Sequence, residues 1–248
     1  MSERHDFLVE LGTEELPPKA LLRLSEAFRD ELLQGLRSAG LAHGEVHAYA
    51  TPRRLAVLVE SLAARQPDQR VERRGPALAA AFDSAGSPTK AAEGFARSCG
   101  TEVAALERLE TDKGAWLVYR GVAEGQPATA LLPQLVQQAL ARLPIPKRMR
   151  WGGGSAEFVR PVHWLVMLFG SEVVPAEILG VTSGASTYGH RFHAPDPIRL
   201  SEPAEYVERL EREGKVIASF ARRRELVRQQ VEQAAAAVAG EAVIEPEL

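Results

Sequence analysis

Apolar positions in the first sixty residues fall into three short patterns. Phe7 to Leu11 is a nearly unbroken apolar run and predicts a short strand. Gly12-Thr13-Glu14-Glu15 then turns the chain, and a helix is expected from about Pro18. Proline suits a first helical turn, where its missing N–H would have no partner anyway. Leu21, Phe28, Leu32 and Leu36 recur at helical spacing and make one apolar face, with Gly40 as a stop signal. Val46 to Tyr49 and Leu55 to Val59, joined by Thr51-Pro52-Arg53-Arg54, read as a hairpin. The first 64 residues therefore read β-α-β-β.

Residues 65 to 76 are polar and charged and read as a connection. A short helix is expected over Ala77 to Phe82. A second takes Ser87 as N-cap, Pro88 as its first residue and Gly100 just past its end. A hairpin is centred on Thr111-Asp112-Lys113-Gly114, with Trp116 to Tyr119 in its second strand. Gln126 to Leu143 is helical, with Leu132, Leu135, Val136 and Leu140 facing inward and Pro133 as the expected true start. Pro144-Ile145-Pro146 breaks that helix and is the expected hinge. The fold class is α+β: two mixed α/β lobes with mainly antiparallel sheets, residues 1–145 and a β-rich 146–248. In the second lobe, Trp164 to Phe169 and Val173 to Val181 are apolar strand runs. A helix over Pro203 to Glu213, a short strand at Val216-Ile217 and a long helix from Ser219 to near Gly240 follow. Val227, Val231, Ala235 and Val238 form the apolar stripe of that last helix.

Composition narrows the class. The chain has 248 residues, 45% hydrophobic and 25% charged, as an ordinary globular protein does. Net charge is -3, which argues against a general polyanion binder, whose domains have a pI above roughly 9. Contacts to nucleic acid must come from local patches. The single cysteine, Cys99, excludes an intrachain disulfide and fits a reducing compartment. No apolar run approaches the roughly 18 residues of a membrane span, and the charged start shows no signal peptide. The end, EAVIEPEL, has neither cap nor polar tail and reads as a truncation.

Candidate chemistry gathers between residues 147 and 195. Lys147, Arg148, Arg150 and Arg160 make a local positive patch opposed only by Glu157, interleaved with Trp151 and Phe158. Arginine beside aromatic planes suits tracking of a phosphate backbone and stacking on unpaired bases; a solvated edge is the alternative. His190 and Arg191, in Gly189-His190-Arg191-Phe192-His193, join Lys147, Arg148, Arg150, Trp151 and Arg160 as candidate RNA contacts. Gly152-Gly153-Gly154-Ser155 lacks the Lys-Ser/Thr of a phosphate loop, and Pro161 opposes a helix after it, so it reads as a turn. His190 and His193 with His163 or Asp196 invite a zinc reading. Pro195 and Pro197 oppose the helix that would make the spacing chelating, so hydrogen-bonded histidines and no metal are expected. Glu14 and Glu15 are adjacent and do not converge on a strand; their expected role is negative charge ahead of the first helix. Arg222-Arg223-Arg224 opens the last helix against its dipole, which an acidic partner or phosphate would explain. No catalytic constellation stands out.

Longer segments carry a resemblance. LVELGTEELPPKAL (8–21), ATPRRLAVLV (50–59), RGPALAAAFD (74–83), PTKAAEGFARSCG (88–100), TDKGAWLVYR (111–120), LPIPKRMRWG (143–152), FVRPVHWLVMLFG (158–170) and GHRFHAP (189–195) run in order through the chain. With them the chain resembles the N-terminal part of the β subunit of bacterial glycyl-tRNA synthetase, the heterotetrameric α2β2 type. Tyr188 departs from the family's pattern, where arginine is expected, and the triple glycine is looser than usual. The resemblance implies a cytoplasmic complex that joins glycine to tRNA(Gly) at the expense of ATP. The adenylate chemistry, with its ATP and Mg, belongs to the partner α subunit. No catalytic residue or cofactor is carried onto this chain, and the anticodon-binding region lies beyond residue 248. Three roles are then open: an RNA-contacting module, a structural module docking the α subunit, and a vestigial editing-like domain with a pocket near His163 and His190. Sterics let a pocket for glycine exclude larger amino acids, which reduces the need for editing.

Overall fold

The first strand, β1 (Arg4–Thr13), is buried from Phe7 to Thr13, on both of its faces, and that double burial sets the architecture. A computed structural model describes residues 3–84, 86–112 and 114–245. After β1 come α1 (Pro18–Ser38), β2 (Val46–Thr51), β3 (Arg54–Ala63), β4 (Gln69–Ala77), α2 (Leu78–Ala81), α3 (Lys90–Ser98), β5 (Glu107–Thr111) and β6 (Gly114–Ala123). The chain continues through α4 (Ala128–Ala141), β7 (Met149–Arg150), β8 (Glu157–Phe158), β9 (Val162–Phe169), β10 (Glu172–Val173), β11 (Glu177–Ile178) and β12 (Val181–Gly184). It closes with β13 (Ser186–Tyr188), β14 (Pro197–Arg199), α5 (Tyr206–Arg212) and α6 (Phe220–Ala237). The class is α+β, with mostly antiparallel sheets; among the described residues only β12 beside β9 is parallel. Among the described residues no helix is long and apolar enough to cross a membrane.

The large sheet runs β11-β12-β9-β1-β3-β2, with β10 also on β9. Side chains alternate across it. On one face Phe7, Val9 and Leu11 join Leu55, Val57, Val59, Leu165 and Met167 beneath α1 and α4, which contribute Leu24, Phe28, Leu32, Leu132 and Val136. On the other, Leu8, Ala56, Leu58, Val166 and Leu168 pack against Tyr206 and Leu210 of α5 and against Leu200. Each such large side chain, fully buried, is worth about 1.5–3 kcal/mol. Coverage of both faces explains why the central strands read as apolar runs rather than alternations. Pro133 lies inside α4 instead of starting it. Its missing N–H removes one bond of the helix ladder, while Leu132, Val136 and Leu140 stay buried and hold the helix down.

The expected division at residue 145 is corrected. The two compact units are residues 1–66 with 126–248, and residues 67–125. Pro144 and Pro146 do end a helix, but the chain then returns to the same sheet, where β9 pairs with β1 from Phe7↔Phe169 to Thr13↔Val162. The smaller unit is an insertion between β3 and α4. Its exit and re-entry points adjoin: Arg65 bridges Pro127, and Gln66 N–H donates to the Gln126 carbonyl at 2.9 Å.

The smaller unit is a three-stranded antiparallel sheet, β4-β6-β5, with α2 and α3. Most of the polar stretch 65–76, together with Ala77, expected to open the short helix, is strand β4 (Gln69–Ala77), and the helix keeps only Leu78–Ala81. Helix α3 begins at Lys90 after Thr89, not at Pro88, because Pro88 bridges Phe82 instead. The expected hairpin forms, though Lys113 of its turn lies outside the described residues. Val216-Ile217 is not a strand. Ser219 does cap α6, accepting from Arg222 N–H at 3.3 Å, and the adjoining charge has an acidic partner, Glu211, paired with Arg222 at 2.7 Å.

At the centre of the larger unit a carboxylate and a guanidinium are both buried: Glu10 on β1 and Arg54 at the start of β3. Arg54 Nη1 lies 3.5 Å from Glu10 Oε1. Its remaining donors go to Thr51 Oγ1 (3.1 Å), Thr187 Oγ1 (3.2 Å) and the Tyr188 carbonyl. The Thr187 hydroxyl donates to the Glu10 carboxylate at 2.7 Å, and Trp164 Nε1–H donates to it at 2.6 Å. Gly12, opposite both Arg54 and Trp164 in the ladder, makes this possible: a Cβ there would lie 1.9 Å from the indole ring. Tyr188, where the family pattern expects arginine, sets its ring at a tilt 4.9 Å from that of Trp164. Burial, then the nearby Glu10 charge, pushes the Tyr206 hydroxyl well above the ordinary phenol range, so it stays neutral.

Two outcomes follow from this network. Gly12→Ala is expected to push Trp164 off Glu10 and destabilise the protein by about 1–3 kcal/mol or more. Denaturant unfolding followed by tryptophan fluorescence measures it, and an unchanged midpoint would mean the ring has room to spare. Glu10→Ala leaves Arg54 buried without its anion and is expected to cost about 3–5 kcal/mol. Glu10→Leu combined with Arg54→Met is expected to regain much of that, because removing both charges of a buried pair is often near neutral. A double variant no more stable than Glu10→Ala would assign the loss to packing rather than to charge.

Candidate nucleic-acid interface

Beyond α4 the chain makes the small hairpin β7–β8, with Met149 opposite Phe158 and Arg150 opposite Glu157. Phe158 is fully buried and anchors the hairpin to the core; it is not an exposed stacking surface. Trp151, expected to stack on bases, is half-buried and packs against the same core. Gly152 to Gly154 form an exposed turn that leads into β8 rather than a helix, so they make no phosphate loop. Lys147, Arg148 and Arg150 are exposed. Arg148 Nη2 donates to the Ala141 carbonyl at 2.9 Å, which also satisfies the last turn of α4. Arg160 Nε donates to the Glu15 carbonyl at 2.9 Å and Nη1 to its neighbour Val159. Among the described residues none of these four cations pairs with a carboxylate, neither Glu157 nor Glu177. The patch therefore keeps its positive charge.

The bond from Arg160 leads to a second cluster. After β1 the chain is stapled between two neighbours: Thr13 N–H donates to the Arg53 carbonyl, Glu14 N–H to Pro161 and Leu16 N–H to Pro52. This turn presents Glu14 to three basic side chains. His163 Nε2 and Arg191 Nη2 each lie 2.9 Å from its carboxylate, and Arg53 Nη2 lies at 3.8 Å. Desolvation is the largest single influence and raises the Glu14 pKa, but the His163 hydrogen bond, the charges of Arg53 and Arg191 and the Arg191 hydrogen bond together outweigh it and hold the carboxyl below its usual value. The expected role for Glu14, a charge ahead of the helix dipole, is corrected. Helix α1 starts only at Pro18 and has no acidic residue in its first turn. Glu14 instead ties β1, β9 and the 189–193 loop to one another. Exposed ion pairs of this kind add little stability, about 0–1 kcal/mol; their effect is to fix where Arg191 sits.

The 189–193 loop is held tightly. His190 N–H donates to the Gly214 carbonyl at 2.7 Å. That approach requires glycine: a Cβ on Gly189 would lie 2.6 Å from Gly214 Cα. His190 Nδ1 accepts from the N–H groups of Phe192 and His193 at 3.2 and 3.3 Å, which places the proton of the neutral ring on Nε2. The His190 and His193 rings are 4.5 Å apart, while His163 belongs to the Glu14 cluster. Among the described residues no three His, Cys, Asp or Glu side chains gather as metal ligands do.

Two adjoining clefts open here. One, of about 440 Å³, lies between the Thr51–Arg54 turn, the 189–192 loop, the Lys215–Ile217 segment and Arg223. The other, of about 280 Å³, is lined by His163, Trp164, Tyr188 and Pro195 and shares Arg53, Gly189 and Arg191 with the first. His190 faces the larger and His163 the smaller. The structure thus joins His190, Arg191 and Arg160 through one turn, brings His163 and Arg223, singled out in the sequence for a pocket and for a phosphate or acidic partner, to the same clefts, and adds Arg53 and Lys215, which the sequence alone does not single out. The doubled arginine of Thr51-Pro52-Arg53-Arg54 is the signal that was there to be read: two cations in a tight turn, one pointing in and one out.

Comparison with known proteins bears on this surface. Residues 7–248 match the sequence model of the family described as glycyl-tRNA synthetase beta subunit. The chain is 59% identical over 243 residues to the glycine–tRNA ligase beta subunit of Hahella chejuensis, covering 98% of this chain and 35% of that protein. The corresponding proteins of Marinobacter nauticus and Pseudomonas aeruginosa are 54% and 52% identical, each over 98% of this chain and 35% of the relative. The chain thus spans about a third of the length of the curated relatives it matches. A match that covers nearly every described element, including the Glu10, Arg54 and Glu14 clusters, leaves one conclusion: the chain belongs to the glycyl-tRNA synthetase beta subunit family.

Proposed function

We propose that this chain serves a cytoplasmic glycine–tRNA ligase as the N-terminal region of its β subunit, and that it supports subunit assembly and the binding of tRNA(Gly) by contacting phosphates. On this reading, glycine activation with ATP and Mg occurs on a partner α subunit, in an α2β2 heterotetramer, and no residue here takes part in it. The observation that carries the RNA reading is the run of cations from Lys147, Arg148 and Arg150 through Arg160 to Arg53 and Arg191, linked by the Glu14-Glu15 turn. The chain as a whole is acidic, so this concentration is local, and a local patch suffices to steer and hold a polyanion. Lysine and arginine on a hairpin and a loop position a phosphate backbone without reading bases. Sequence selection then falls to other parts of the assembly.

A second reading is docking of the α subunit. Val227 and Val231 of α6, and Val238 just after it, are exposed, and α6 has no buried residue.

Replacing Arg148 and Arg150 by alanine in the β subunit of the assembled complex separates these readings. On the RNA reading, tRNA binding weakens, and the slope of log affinity against log salt falls by roughly one for each phosphate no longer neutralised. ATP–pyrophosphate exchange stays nearly intact, and thermal stability changes little, since Arg148 gives up one exposed hydrogen bond. An unchanged salt slope together with a clear loss of stability would retire the RNA reading for this patch.

A further inference from the structure

The larger cleft is not simply a continuation of the basic surface. Its walls are apolar where Pro52, Val216 and Ile217 line it, and cationic where Lys215 and Arg223 do. Its volume of about 440 Å³ falls in the range of small-ligand sites, roughly 300–1,000 Å³. Both cations are held in place. Arg223 Nη1 donates to the Ile217 carbonyl at 2.8 Å, and Lys215 Nζ donates to the Arg212 carbonyl at 2.8 Å. Neither pairs with a carboxylate among the described residues. Arg223 is half-buried beside Phe220. A cation partly removed from water without a counter-charge is unfavourable; Arg223 is in that position, and of the cleft's lining only Glu15 carries negative charge, against Arg53, Arg54, Arg191, Lys215 and Arg223. The opposite wall is equally fixed, because the close approach of Gly189 to Gly214 and the His190–Gly214 hydrogen bond zip the 189–192 loop to the segment that carries Lys215.

We propose that this cleft binds one unpaired nucleotide of an RNA, with the base against Pro52, Val216 and Ile217 and its phosphate against Lys215 and Arg223. The proposal rests on the RNA reading above and deepens it. Three features favour a unit of a polynucleotide over a free phosphorylated metabolite. The smaller cleft adjoins the larger and shares Arg53, Gly189 and Arg191 with it, as the seats of successive units of a polymer would. The basic run through Arg160 leads to both. The pocket offers an apolar wall, and burying a base face against it gains about 25 cal/mol per Å² of apolar area removed from water. Single-stranded RNA fits, since a base in a duplex has no free face to present.

Calorimetric titration of this chain with a single-stranded tetraribonucleotide, with adenosine 5′-monophosphate and with inorganic phosphate tests the assignment. The tetraribonucleotide is expected to bind, the mononucleotide more weakly and phosphate weakest. Lys215→Asn keeps a residue tolerant of the left-handed backbone at this position, where φ is 56°, and Arg223→Gln keeps a donor for the Ile217 carbonyl. Each is expected to weaken tetraribonucleotide binding about tenfold, as loss of one hydrogen bond to a charged group does, with unfolding midpoints unchanged. Ultraviolet crosslinking should map to peptides containing His190 to His193 and Val216-Ile217. Wild-type affinity in both variants, or inorganic phosphate competing as well as the tetraribonucleotide, would overturn the proposal. The two readings fail separately. Loss of tetraribonucleotide binding in the cleft variants, with no effect of Arg148→Ala and Arg150→Ala on tRNA, sustains the cleft and refutes the outer patch. The reverse pattern refutes the cleft and sustains the patch.

Discussion

The larger unit depends on one buried pairing of opposite charges. Glu10 and Arg54 sit on neighbouring strands, out of water, and neither is tolerable there alone. Their lone pairs and protons reach four further places in the chain: Thr51, Trp164, Thr187 and the Tyr188 backbone. Those positions belong to three different strands, β2, β9 and β13. The pair thereby selects a register as well as a fold, since slipping β1 by one residue would turn Glu10 to the face packed beneath α1 and α4. Gly12 is the steric counterpart of this electrostatic demand, giving the indole a path across β1 to the carboxylate.

The same pair organises the outer surface. Arg54 points inward and grips Thr187 and Tyr188, which fixes the strand that enters the 189–193 loop. Arg53, one residue earlier, points outward to Glu14. Adjacent residues of opposite orientation thus couple the buried network to the basic rim. The fold class imposes no function by itself. Arg53 and Arg191, both paired with Glu14, sit where this network has already immobilised the backbone.

Parts of this were legible in the sequence for reasons of range. The β1–α1–β2–β3 start depends on local periodicity, a proline at the first helical turn and a tight hairpin connection, and each is visible within about a dozen residues. Strand β4 was not legible, because Arg70, Glu72, Arg73 and Arg74 occupy a sheet too small and too exposed to demand an apolar pattern. The insertion was hidden for a different reason. A helix broken by Pro144 and Pro146 looks like a boundary unless β9 is known to return to β1, and no local feature encodes a pairing some 150 residues apart. The role of Glu14 was hidden in the same way, its partners His163 and Arg191 being remote in sequence. The patch at Lys147, Arg148, Arg150 and Arg160 was legible as charge density, whereas the burial of Trp151 and Phe158 beneath it depends on packing that composition does not reveal.

Inserting the smaller unit between β3 and α4 has a consequence for synthesis. About a hundred residues separate the end of β3 from the start of β9. At a translation rate of roughly 5–20 residues per second, several seconds pass between the emergence of the first three strands and that of the partner for the other edge of β1. During that interval a strand destined for burial from Phe7 to Thr13 presents unpaired backbone groups along one side, beside a carboxylate still waiting for its indole and hydroxyl donors. A nascent chain in that state is a template for wrong pairing. The acidic and basic residues that crowd the intervening segment keep that stretch itself from being the strand that answers.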